Sequence, residues 1–121
     1  MAKFMLILRD DPAAYADFSP RQFQELIEKY HEWSMKMEKE GRLDLGRKLT
    51  DDGGKVLTKP GGKLAVKDGP FNETKEVVGG FYIITADDLG HAMRLCEDHP
   101  QFAIGGSVEI REVDFMGGPE E

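Results

Sequence analysis

The chain has 121 residues, 40% of them hydrophobic, with one Trp, three Tyr and seven Phe, which suffices for a single buried core and argues against wholesale disorder. Its formal net charge of −7 opposes a nonspecific grip on phosphate backbones, so no nucleic-acid partner is expected. The single cysteine, Cys96, leaves no intrachain disulfide framework, and the apolar run at 4–8 is cut off by Arg9, Asp10 and Asp11, so a cytoplasmic protein with no membrane partner is expected.

Residues 3–9 predict a first strand whose Phe4, Leu6 and Leu8 on one face are matched by Met5 and Ile7 on the other, so both faces want cover. Ser19, Pro20 and Gln22 then supply an N-cap, an N1 proline and a capping-box partner at N3. Phe23, Leu26, Ile27, Tyr30, Trp33 and Met37 recur at three- and four-residue spacing and predict one buried helical stripe, which Gly41 stops. Glu25 with Lys29 and Glu32 with Lys36 fall at i,i+4 on the solvated side.

Residues 43–49 predict a second strand with Leu43, Leu45 and Leu49 in phase, and Asp51, Asp52, Gly53 and Gly54 a turn. Short strands at 55–58 and 63–67 flank Pro60 and Gly61, an order that fits a type II turn and predicts a hairpin. A strand at 80–85 alternates Phe81 and Ile83 with Tyr82 and Ile84, again apolar on both faces. Thr85 with Asp88 predicts a capping box for a second helix, buried through Leu89, Ala92, Met93 and Cys96 and barred from passing Pro100. The last strand, 107–115, alternates through Val108 and Ile110 and loses phase between Arg111 and Val113, which predicts a bulge or a change of environment. A domain over 1–116 is expected, with 117–121 a frayed tail.

Strand, helix, strand with hairpin, strand, helix, strand is the split βαβ plan of an α+β, ferredoxin-like domain with an inserted hairpin. Right-handed crossovers put both helices on one sheet face. The opposite face is apolar too, and a second copy is the simplest cover, so a homodimer with its sheets packed as a dimeric α+β barrel is expected.

Between the hairpin and the fourth main strand runs Asp68, Gly69, Pro70, Phe71, Asn72, Glu73, Thr74, Lys75, Glu76. Asp and Gly suit a turn, Pro fixes φ, Phe71 can anchor by burial, and Glu73 and Lys75 would point the same way in an extended segment. This run, with Gly79, Gly80, Phe81, Tyr82, Ile83 and later Gly105, Gly106, Ser107, Val108, Glu109, Ile110, Arg111, resembles the DGPF-signature branch of the YCII-related family over nearly the whole chain. The resemblance implies a small dimeric ferredoxin-like domain and a catalytic pair, a His on the first helix and an Asp before a Pro after the second. Those positions fall here on Tyr30, with His31 next to it, and on His99, directly before Pro100, so neither member of the pair is kept.

A different acid/base set could be built from Tyr30, His99 and Asp68. Each also has a plain structural reading: Tyr30 as a core tyrosine, His99 as a residue of an exposed connection, Asp68 as a turn former. His31, Phe71, Glu73 and Lys75 are candidate ligand contacts around a small-molecule pocket near the Asp68 loop, with His31 otherwise a surface histidine and the loop charges mutual surface pairs. Cys96 and His99 have the spacing of two metal ligands, but two ligands make no site and Cys96 falls on the core stripe, so no metal is expected. No dinucleotide fingerprint, phosphate loop or serine elbow is present, so no cofactor is expected either. Two readings follow: a cofactor-free acid/base enzyme for a small organic molecule, or a non-catalytic ligand-binding or protein-interaction dimer module.

Overall fold

The computed structural model describes residues 2–69 and 76–115. Its main elements are β1 (Ala2–Asp10), α1 (Pro20–Lys39), β2 (Leu43–Lys48), β3 (Lys55–Thr58), β4 (Ala65–Asp68), β5 (Val77–Ala86), α2 (Leu89–Cys96) and β6 (Ser107–Glu112). The four-stranded sheet runs β2-β5-β1-β6 with every neighbour antiparallel, and β3-β4 is a separate hairpin. This is the ferredoxin-like order, with the hairpin inserted between β2 and β5.

Strict alternation along β1 turns Phe4, Leu6 and Leu8 to the helices, and β5 turns Tyr82, Ile84 and Ala86 the same way. Trp33 and Met37 of α1 and Ala92 and Cys96 of α2 close over them as one core. Each large side chain so enclosed contributes about 1.5–3 kcal/mol relative to exposure. On the opposite face Met5 pairs with Ile83 and Ile7 with Phe81, all half-buried, and Leu45 lies beside Ile83.

The α1 start is as expected, with Ser19 Oγ accepting from the Gln22 N–H and Gln22 answering to the Ser19 N–H. Its ion pairs are Arg21–Glu25 and Lys36–Asp98 rather than those read from the i,i+4 pattern, because Asp98 competes for Lys36 across the fold. Helix α2 is capped by Asp88, which accepts from the His91 N–H, and not by Thr85, whose N–H still bonds Arg42 O at the sheet. The small Ala92 and Cys96 seat this two-turn helix on the sheet, leaving Leu89 and Met93 of the expected stripe 50% and 57% exposed.

The hairpin connection is longer than a type II turn: Pro60–Gly62 forms a 3₁₀ turn with Gly61 and Gly62 both at positive φ, and β4 begins only at Ala65. Strand β6 ends at Glu112 with its register to β1 unbroken, so the loss of phase beyond Arg111 marks the strand's end. The register shifts lie elsewhere, between Leu8 and Arg9 in the β1–β5 pair and between Leu43 and Leu45 in the β2–β5 pair. The expected tail at 117–121 lies outside the described residues.

Candidate functional site

The N-terminal half of α1 does not reach the core. Phe23, Leu26 and Tyr30 are half-buried and Ile27 is 46% exposed, whereas Trp33 and Met37 further along are enclosed. The reason lies across the gap, where the sheet presents Gly46, Gly79 and Gly80, which have no side chains of their own to fill the space. Gly46 is required by the Tyr82 ring, which lies 2.7 Å from where a Cβ would stand, and Gly80 by the Arg47 carbonyl at 2.9 Å. A cavity of about 700 Å³ results, lined by α1, β2, the ends of β1 and β5, and Gln101.

Asp10, the last residue of β1, lines this cavity. It continues the inward phase of Phe4, Leu6 and Leu8, so a carboxyl is carried where an apolar side chain would be expected, and it is 8% exposed. Its Oδ2 accepts from Gln101 Nε2 at 3.4 Å, while Oδ1 has no hydrogen-bond partner. Burial pushes the carboxyl's pKa up, opposed by the Gln101 bond and by Lys48, and supported by Asp51 and Glu76. Gln101, 2% exposed, also donates to Arg9 O at 2.8 Å and accepts the Tyr30 hydroxyl proton at Oε1 at 2.5 Å. Burial raises the Tyr30 pKa, so the phenol is neutral and serves as a donor.

Behind Tyr30 lies His99. The expected exposed connection is instead almost fully buried, because His99 caps the 3₁₀ turn Pro100–Ile104 and its ring packs among Tyr30, Trp33 and Tyr82 at centroid distances of 5.5, 4.6 and 5.6 Å. Nδ1 accepts from the Gln101 N–H at 3.0 Å, so the neutral ring carries its proton on Nε2, which has no hydrogen-bond partner. Burial lowers its pKa to about 4, leaving it neutral at pH 7.

Tyr30 and His99 are therefore brought together, and Asp68 is not with them: it is exposed on the hairpin, ion-paired with Lys55 and absent from the cavity wall. His31 is exposed and lines the cavity. Phe71, Glu73 and Lys75 lie outside the described residues. Cys96 is buried and its thiol pushed up to about 11 by burial, and no cluster with metal-ligand geometry occurs among the described residues. Sequence reasoning missed Asp10 and Gln101. The alternation through Leu8 was a signal for Asp10; nothing local marked Gln101.

Residues 2–116 match the YCII-related domain. In three dimensions the chain is similar to 5-chloro-2-hydroxyhydroquinone dehydrochlorinase (TftG) from Burkholderia phenoliruptrix AC1100, solved in complex with 2,5-dihydroxybenzoquinone, at a TM-score of 0.55 with 93% of each chain covered. At 12% identity that likeness establishes a shared fold and nothing finer. No curated protein matches the chain.

Proposed function

The chain belongs to the YCII-related family, and we propose that it binds a small organic molecule in the cavity under α1 and moves a proton there without a cofactor, with Asp10 as the acid/base group. The observation that carries this reading is the buried Asp10 carboxyl at the cavity wall with Oδ1 unpartnered. A buried polar atom without a partner costs about 1–3 kcal/mol, which a ligand donor would recover. In the ionised form Asp10 takes a proton from a ligand O–H, N–H or activated C–H and becomes the neutral acid, then returns that proton to another atom of the same molecule. The raised pKa makes the neutral acid easier to reach than it is for an ordinary carboxylate. Tyr30 acts here through Gln101, and His31 stands at the cavity's rim.

The non-catalytic reading is favoured by one observation. The two positions that the family resemblance ties to a His and an Asp hold a neutral phenol and a buried neutral imidazole. Assignment to the DGPF-signature branch rests on the run at 68–76.

A homodimer is part of the proposal. The half-buried face around Met5, Ile7, Phe81 and Ile83 needs cover, and so does the hairpin, whose cross-strand pair Leu57 and Val66 is 59% and 58% exposed. A two-stranded hairpin is marginal by itself in water. The lone buried cysteine supports a cytoplasmic setting.

Screening thermal stability against a metabolite library tests the binding step, since a ligand at 100 times its dissociation constant stabilises by about 2.7 kcal/mol. The expected hit loses about tenfold or more in affinity for Asp10→Asn, the weight of a hydrogen bond to a charged group. A hit recovered chemically unchanged after incubation supports the binding module; no hit at all removes the pocket reading.

A further inference from the structure

Three contacts set the orientation of the Gln101 amide. Nε2 lies between two acceptors, Arg9 O at 2.8 Å and Asp10 Oδ2 at 3.4 Å, and Oε1 receives the Tyr30 hydroxyl at 2.5 Å. A flipped amide would set its oxygen against a carbonyl and a carboxylate. Gly106 makes room for the arrangement: a Cβ there would lie 2.6 Å from Nε2 and 2.7 Å from Arg9 O. Both amide N–H groups are thus spent, Oδ2 is committed, and Oδ1 is the carboxyl's unpartnered atom.

We infer that Gln101 is a positioning residue that holds Asp10 with Oδ1 as its single free acceptor, so that the cavity selects small apolar-bodied molecules bearing a hydroxyl or amine donor and rejects carboxylates and phosphates. The selectivity rests on the Asp10 reading proposed above. The apolar body is received by Phe23, Leu26 and the Tyr82 ring. An anionic head would meet Asp10 with Asp51 and Glu76 acting in the same sense, while the two basic residues of the cavity wall are already engaged, Lys48 with Asp51 at 3.1 Å and Arg47 with the Gly46 carbonyl at 2.7 Å. A carboxylate ligand has no proton to offer Oδ1, and two like charges in a low-dielectric site repel.

Benzyl alcohol, benzylamine and benzoate carry one ring with three different heads, and each can be titrated into the isotope-labelled full chain at pH 7 and followed by NMR. The alcohol and the amine should give saturable shifts at the Asp10 carboxyl carbon and at cavity residues, with benzoate weaker by about tenfold or more. In Gln101→Leu that gap should narrow, and the Asp10 titration midpoint should move to higher pH because the amide donor that favours the ionised form is gone. Tyr30→Phe keeps the Gln101 amide but removes the donor at Oε1, and should move the midpoint in the same direction by less. Benzoate binding as tightly as the alcohol, or no cavity shift from any of the three, overturns the selectivity. An unmoved Asp10 midpoint in folded Gln101→Leu, or in Tyr30→Phe should the first variant not fold, overturns the positioning role. The carboxyl titration needs no ligand, so a failure of the Gln101 role and a failure of the ligand-binding reading are told apart.

Discussion

His99 should make the protein's stability fall as the solution is acidified, by an amount that can be worked out and isolated. Its pKa is about 4 in the fold against an ordinary 6.5, chiefly because burial disfavours the imidazolium, with Asp98 opposing weakly. A depressed folded pKa means that the stabilising difference is fully present above 6.5 and is lost as the pH falls through 4, since the unfolded chain takes up the proton first. Two and a half pH units at 1.36 kcal/mol each give about 3 kcal/mol, and at 2% exposure there is little solvent screening to discount. Asn is the suitable replacement, because its side-chain oxygen can still accept from the Gln101 N–H at the cap while nothing titrates. Urea unfolding of parent and His99→Asn at pH 8 and pH 4 isolates the effect, because the packing defect left among Tyr30, Trp33 and Tyr82 is the same at both values and cancels. The parent should lose about 3 kcal/mol relative to the variant between the two. A difference between the proteins that stays constant within about 0.5 kcal/mol would refute a buried, neutral His99.

Asp10 carries the opposite sign: a carboxyl whose folded pKa is raised contributes stability below its unfolded pKa and loses it as the pH rises through the folded value. Asp10→Asn should therefore gain on the parent from pH 3 to pH 7 in chemical unfolding, and a parent that gains instead would show the carboxylate to be favoured where it sits. Gly106→Ala drives a methyl into Gln101 and the Arg9 backbone and should destabilise by about 1–3 kcal/mol, measured by thermal or urea melts, whereas a neutral effect would mean the two segments are not in close contact. Light scattering at micromolar concentration should give about twice the 13.6 kDa chain mass, and a clean monomer would remove the dimer.

Much of the fold was legible because it depends on local chemistry and period. Ser19, Pro20 and Gln22 form their cap from neighbours in the chain, Gly41 takes positive φ where the helix stops, and the period-two alternation of β1 and β5 sets which side chains face the helices. Where local signals misled, the competing partner was distant: Thr85 is held in the sheet by Arg42, Lys36 by Asp98, and neither residue is near in sequence.

The candidate site shows the same division more sharply. Tyr30 and the residue before Pro100 were recognisable as positions of interest, but the sequence by itself determined only that they exist on a helix and in a connection. Tertiary structure decided that His99 is walled in by three aromatic rings, that Asp68 stays with Lys55 on the hairpin, and that the buried carboxyl at the cavity is Asp10. It also decided that α1 is a core helix at Trp33 and Met37 and a cavity wall at Phe23 and Leu26, since a helical stripe reads as buried whether its neighbour is a packed strand or a row of glycines. The physical reason is that apolar period reports which way a side chain points, whereas burial, an unpartnered oxygen and a shifted pKa report what it meets there, here Gln101 brought 91 residues along the chain to Asp10.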